Sequence, residues 1–285
     1  MSNTEAVRGG YVHLGAGDDE ARVYYEECGE GPALLCLHTA GADSRQWRHL
    51  LADEEITSHR RVVAFDLPWH GRSLPPGRWW EREYRLTTGE YARRTLQLAE
   101  ALELTRPTVV GCSVGGATVL DLAWHHAAEI GGAIAVEAAA KIVGRFSDLS
   151  IRPDVNGAEF VASWTYGLMA PQSPEALRRE VWWIYAQGGP GVYRGDTWAW
   201  SEDWDLRGHE GEVDTARCPL WILCGEYDYV CTPEAALATA EAIPGAEAAV
   251  MADLGHFPMS EDYGRFRPYL LKALDDIAAR SGRPS

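Results

Sequence analysis

Ser113 stands in the run Gly111-Cys112-Ser113-Val114-Gly115, with Gly116 following. A serine spaced between glycines in this way can act as a nucleophile where a strand turns sharply into a helix. The turn strains the serine backbone, and glycine on either side removes the Cβ atoms that would block it. The hydroxyl then stands at the carboxyl end of a sheet. The N–H of Val114, in the first turn of the helix, is placed to stabilise a developing oxyanion. A serine hydroxyl is a weak nucleophile and needs a base. Of the nine histidines, His256 is the best placed, because Leu254-Gly255-His256-Phe257-Pro258 follows the last strand of the pattern and reaches the same sheet edge. The base needs a carboxylate that fixes its tautomer and balances the imidazolium. Asp228 follows the strand Trp221-Ile222-Leu223-Cys224 and is the first choice, since the chain order Ser113, Asp228, His256 is one that such sites use. Glu137, at the end of the preceding strand, is the alternative acid. The second oxyanion donor is assigned to the N–H of Ala40, in the loop His38-Thr39-Ala40-Gly41. His38 itself ends a buried strand and reads as structural, or as a neighbour of that loop.

These residues meet only if strands and helices alternate around them. Residues 22–27 alternate as an early strand, and 33–37 form a continuous apolar run, as a strand buried on both faces requires. Strands follow at 61–65, 108–110, 133–136, 220–224 and 248–251, and helices at 43–52, 88–104, 114–124, 233–243 and 263–279. This alternation predicts an α/β protein with a mostly parallel, doubly wound sheet covered on both faces. It breaks between 138 and 216. The expected organisation is therefore a core of residues 1–137 and 217–285, interrupted by an aromatic-rich cap at 138–216. Six of the 12 tryptophans fall in that segment: Trp164, Trp182, Trp183, Trp198, Trp200 and Trp204. Trp164, Trp182, Trp183, Tyr185 and Trp198 are the expected walls of a substrate site, because flat aromatic rings bury apolar or aromatic ligands well.

The 285-residue chain carries 42 acidic and 26 basic residues, a net charge of −16. That balance disfavours nucleic acid and anionic membranes, whose phosphates need clustered Lys and Arg. It also disfavours a highly anionic substrate, unless an arginine pocket overrides the field. No apolar run reaches the roughly 20 residues of a spanning helix, and residues 1–10 lack an apolar signal region. The expectation is a cytoplasmic protein that binds a small hydrophobic molecule, with a homodimer as the one macromolecular association left open. The six cysteines form no CxxC pair and read as small buried hydrophobes in a reducing compartment. HExxH, GxGxxG and P-loop patterns do not occur, so neither a metal nor an organic cofactor is expected.

The ordered motifs resemble the α/β-hydrolase superfamily over nearly the whole chain. They are His38-Thr39-Ala40-Gly41, Asp66-Leu67-Pro68-Trp69-His70-Gly71-Arg72-Ser73, the elbow at Ser113, Gly225–Asp228, and Gly255-His256-Phe257-Pro258. The resemblance implies an α/β-hydrolase fold with a helical cap inserted after the sixth strand. Serine at the nucleophile position separates the chain from epoxide hydrolases and haloalkane dehalogenases, which need aspartate there. Thr39 stands where the family usually has glycine, which leaves the choice of oxyanion donor open. A finer similarity, to zearalenone-type lactonases, rests on Gly111-Cys112-Ser113, a Glu at the end of the next strand and His256-Phe257-Pro258; in those enzymes that Glu is the acid. The expected activity is hydrolysis of an ester or lactone of a medium-sized hydrophobic, aromatic molecule through an acyl-enzyme. Hydrolysis of a carbon–carbon bond in a diketone and non-catalytic ligand reception on the same fold are the rival readings.

Overall fold

A computed structural model describes residues 5–282. Its centre is an eight-stranded sheet: β1 (Arg8–Leu14), β2 (Ala21–Cys28), β3 (Ala33–Leu37), β4 (Arg61–Phe65), β5 (Thr108–Cys112), β6 (Gly132–Val136), β7 (Leu220–Gly225) and β8 (Glu247–Met251). The strand order is β1-β2-β4-β3-β5-β6-β7-β8. β1 pairs antiparallel with β2, and β2 antiparallel with β4; every later pairing is parallel. Successive side chains of a strand face opposite ways. Leu35 and Leu37 therefore enter one core layer, with Val63, Phe65 and Val109. Leu34 and Cys36 enter the other, with Val62, Ala64 and Val110. Burial on both faces explains why these strands carry no polar alternation.

Among the described residues, ten helices surround the sheet. Two single turns, α1 (Arg48–Leu51) and α2 (Glu54–Thr57), precede α3 (Thr88–Ala101) and α4 (Val114–His125). Between β6 and β7 lie α5 (Gly157–Tyr166), α6 (Glu175–Tyr185) and α7 (Val192–Trp198), the last running into a π-helical turn at Ala199–Asp203. α8 (Pro233–Ala242), the short α9 (Pro258–Glu261) and α10 (Tyr263–Ser281) follow β7 and β8. Among the described residues no helix is long and apolar enough to cross a membrane.

Two differences from expectation have a clear local cause. The helix expected at 43–52 is a 3-10 turn, Ser44–Trp47, followed by the single turn α1; the Asp43 side chain caps it by accepting from the Arg45 N–H at 3.0 Å. β1 has no clear signature in the sequence, because Gly9 and Gly10 interrupt its pattern. It forms because Gly9 pairs with Glu26 and Gly10 with Tyr25, and because the Tyr24 and Tyr25 rings cover the two glycines.

Candidate active site

β5 delivers Ser113 to the carboxyl end of the sheet, and α4 begins one residue later. Ser113 has φ 60° and ψ −117°, a conformation that a non-glycine residue holds only under constraint. Its N–H donates to the Val136 carbonyl at 2.9 Å, and its carbonyl accepts from the Ala117 N–H at 2.9 Å. The flanking glycines allow the close approach that this turn demands. A Cβ on Gly111 would lie 2.4 Å from the Gly115 carbonyl oxygen, and one on Gly115 2.8 Å from those of Leu37 and His38.

His256 is carried by the loop between β8 and α9. Its N–H donates to the Leu168 carbonyl at 3.0 Å. Its Nδ1 meets Asp228 Oδ2 at 2.6 Å, and both side chains are buried. The other Asp228 oxygen accepts from the N–H groups of Val230 (2.7 Å) and Cys231 (3.2 Å). Burial pushes the Asp228 carboxyl up, but His256 and these donors outweigh it and hold its pKa below the ordinary value. A proton held on Nδ1 by an ionised carboxylate leaves Nε2 as the basic nitrogen.

The carboxylate that meets His256 is thus that of Asp228. Glu137 follows β6 with φ 50° and is completely buried. One of its oxygens accepts from the Gly225 N–H at 2.8 Å, and its carboxyl lies beside that of Asp228. A carboxylate oxygen of Glu137, one of Asp228 and the Cys224 thiol lie within 4.8 Å of one another. Burial, with Cys224 and Asp228 beside it, pushes the Glu137 pKa well above the usual carboxylate range. Of two buried carboxyls side by side, one keeps its proton. Here it is Glu137, lying behind the Asp228 that orients the ring.

The loop after β3 explains which N–H is left for an oxyanion. The Thr39 N–H donates to Gln46 Oε1 (3.0 Å) and the Gly41 N–H to Asp196 Oδ2 (2.6 Å). The Ala40 N–H between them has no partner among the described residues. In the first turn of α4, the Val114 N–H has no intrahelical acceptor. His38 is structural: its Nε2 accepts from the Leu67 N–H at 3.1 Å, and burial lowers its pKa to about 4, so the ring is neutral. Asp66 braces the next loop by accepting from the N–H groups of Ser44 (2.8 Å) and Arg72 (2.7 Å).

Asp196, on α7, is the residue that sequence reasoning missed most completely. It is fully buried, and its carboxylate accepts from the Gly41 N–H, from Tyr84 Oη (2.7 Å) and from His70 Nε2 (2.8 Å). His70 Nδ1 lies 3.0 Å from the Pro68 carbonyl. Both ring nitrogens therefore face acceptors, which only an imidazolium satisfies. Burial pulls the His70 pKa down, and the Asp196 carboxylate outweighs it, so the ring is held above its ordinary value.

Glu261 ties the histidine loop to the insertion. It accepts from the Gly255 N–H, from Phe257 N–H (3.3 Å) and Ala170 N–H (3.3 Å), and from Ser173 Oγ (3.2 Å). Its pKa is pushed up to about 7 by burial, against the pull of those donors. Glu261→Ala is expected to lower kcat about tenfold to a hundredfold with a smaller change in KM, because small displacements of a catalytic group are costly. Glu261→Gln, whose carbonyl can still accept from Gly255 and Ala170, is expected to restore part of the rate. Steady-state kinetics of the two variants check this.

Ser113, His256 and Ala40 line a cavity of about 250 Å³. Its remaining walls come mostly from the insertion: Phe160, Trp164, Leu168, Tyr185, Tyr193 and Trp200. Trp164 and Tyr185 are thus at the cavity, whereas Trp182, Trp183 and Trp198 lie outside it. The reason is the turn of the helix, about 100° per residue. On α6 the buried side carries Val181, Ile184 and Tyr185, which leaves Trp183 60% exposed and Trp182 packed against the core layer. Trp198 stacks edge-on against Phe146 with centroids 5.2 Å apart and lies under the Arg85 guanidinium. Trp200, two residues on in the π-helical turn, packs against His256 with ring centroids 5.5 Å apart.

A mostly parallel sheet with a strained serine elbow after β5, and with aspartate and histidine loops after β7 and β8, defines the α/β-hydrolase class. The sequence model of the Alpha/beta hydrolase family matches residues 34–268, and the chain belongs to that family. A thermophilic esterase from Thermogutta terrifontis superposes with a TM-score of 0.81 at 22% identity, over 94% of this chain and 99% of that one. The enol-lactonase from Burkholderia xenovorans does so with a TM-score of 0.81 at 21% identity, over 93% and 100%. A zearalenone hydrolase from Bionectria ochroleuca is 28% identical over 142 residues, which span 49% of this chain and 52% of that one. The similarity to lactonases of that type noted from the sequence is thus present at low identity.

Proposed function

We propose that the protein is a serine hydrolase that cleaves an ester or lactone of a small hydrophobic molecule, with residues 138–216 acting as a cap over the site. The reading rests on one observation above all: a serine in a strained elbow shares a cavity with a histidine whose far nitrogen is held by a buried aspartate. Ser113 Oγ attacks the carbonyl carbon while His256 Nε2 takes its proton, and the Ala40 and Val114 N–H groups receive the oxyanion. The tetrahedral intermediate collapses, the C–O bond to the alcohol breaks, and His256 returns the proton to the leaving oxygen. Water then attacks the acyl-enzyme by the same route and frees Ser113. In a lactone the leaving oxygen stays tethered, and the product is a hydroxy acid. An esterase and an enol-lactonase among the structural neighbours support an ester or lactone as the bond cleaved. The cavity, about 250 Å³, is just below the range of ligand pockets, about 300 to 1,000 Å³. Its aromatic walls suit a compact ring better than a long acyl chain.

Ser113→Ala is expected to abolish hydrolysis of every ester and lactone that the native protein turns over, and to abolish labelling by a fluorophosphonate, read as a mass increment on Ser113. Retained hydrolysis in Ser113→Ala overturns the assignment. Turnover of a vinylogous diketone with none of any ester or lactone would shift the reading to carbon–carbon bond hydrolysis.

A further inference from the structure

Among the described residues, the cavity holds one arginine, and no Asp or Glu lines it. Arg145, early in the insertion, forms part of the wall with Tyr193, Thr197, Trp200 and Val230. Its backbone N–H donates to Ser201 Oγ (3.0 Å), and its Nη2 reaches the Tyr229 carbonyl (3.3 Å), next to the loop that carries Asp228. Its Nε is buried and has no hydrogen-bond partner among the described residues. Nearby Arg194, outside the cavity, holds both Glu83 and Asp148. Arg145 forms no ion pair with any described residue, in a chain with 42 acidic and 26 basic residues.

A guanidinium stays protonated throughout the working range of a protein, and burying one of its donors without an acceptor costs free energy. A guanidinium on the wall of a ligand cavity, with no carboxylate of the protein beside it, is balanced when the ligand brings one. A carboxylate matches the planar fork of donors. The charge balance narrows the choice further. One arginine neutralises a monoanion, whereas a dianionic phosphate would leave a negative charge in the field of a chain with net charge −16. We infer that Arg145 binds a carboxylate carried by the substrate, so that the substrate class is a compact ester or lactone bearing a free carboxylate on an apolar body. This deepens the serine-hydrolase reading and rests on it for the bond cleaved. The carboxylate itself takes no part in bond making or breaking.

The test compares 4-nitrophenyl hydrogen glutarate and its methyl ester, which share one acyl backbone, with native protein, Arg145→Gln and Arg145→Lys. Native protein is expected to favour the free acid in kcat/KM by about tenfold or more, mainly through KM, because a charge-assisted bond is lost with the other ester. Arg145→Gln is expected to collapse that ratio to near one, and Arg145→Lys to recover part of it. A native preference for the neutral ester, or a ratio unchanged in Arg145→Gln, overturns the proposal. Calorimetry with 3-phenylpropionate supplies a readout independent of Ser113. Binding to native protein that weakens about tenfold or more in folded Arg145→Gln supports the carboxylate site even where neither ester is hydrolysed. Equal binding to both proteins, or none to native protein, overturns it.

Discussion

Asp228→Asn is expected to lower kcat by about four orders of magnitude, while Glu137→Gln lowers it by no more than about tenfold. The contrast follows from where the single proton sits. Asp228 meets His256 Nδ1 at 2.6 Å and is held ionised by that ring and by the Val230 and Cys231 N–H groups. Asparagine in its place offers a neutral oxygen that cannot balance an imidazolium, or turns its NH2 to the ring and selects the wrong tautomer. Glu137 is already the neutral member of the pair. Glutamine keeps its shape, keeps an oxygen for the Gly225 N–H, and places an NH2 where the carboxylic acid carried its proton. Measuring kcat for both variants on an ester that native protein hydrolyses decides the matter. An active Asp228→Asn beside a dead Glu137→Gln would assign the acid to Glu137, as in the zearalenone-type lactonases that the sequence resembles.

That rivalry shows what a sequence can and cannot carry. β6 and β7 are adjacent and parallel, so Glu137 and the Asp228 loop leave the sheet side by side. The sequence places both acids at the same edge. It does not state that burial and the neighbouring Asp228 and Cys224 hold one as an acid while three donors ionise the other. The Ser113 elbow is legible because its requirement is local, a glycine-flanked turn between two short elements. β1 is not legible, because two glycines in a strand make sense only beneath the Tyr24 and Tyr25 rings of the partner strand. In the insertion, composition located the aromatic residues but not their directions. Trp198 and Trp200 are two positions apart, yet the helical turn sends one onto Phe146 and the other onto His256. Arg145 and Glu261 carry no motif at all, because their meaning lies in what their side chains face.

Asp196 is the extreme case, since it caps the Gly41 N–H from 155 residues away. Asp196→Ala is expected to cost about 3–5 kcal/mol of stability, the range for removing one partner of a buried ion pair. The His70 imidazolium would lose its counter-ion, and the Tyr84 hydroxyl and the Gly41 N–H would lose their acceptor. For a chain of this length the melting temperature should fall by on the order of 10 °C. The pH dependence separates charge from packing. Because His70 is held above its ordinary value of 6.5 in the folded state, the pair contributes fully below that pH. Its contribution is lost as pH rises through the elevated folded value. Native protein should therefore lose stability on the alkaline side of about pH 6.5, and Asp196→Asn, which cannot hold the charge on His70, should lack that fall. Catalysis should feel the same change. The Gly41 N–H adjoins the free Ala40 N–H, and one well-placed oxyanion donor is worth about 2.7–4 kcal/mol in other hydrolases. Asp196→Asn offers one neutral oxygen to three donors, so kcat should drop about tenfold or more with KM little changed, measured well below its melting temperature. An unaltered kcat together with the lost pH dependence would restrict Asp196 to holding α7 onto the core, with no hand in setting the oxyanion loop.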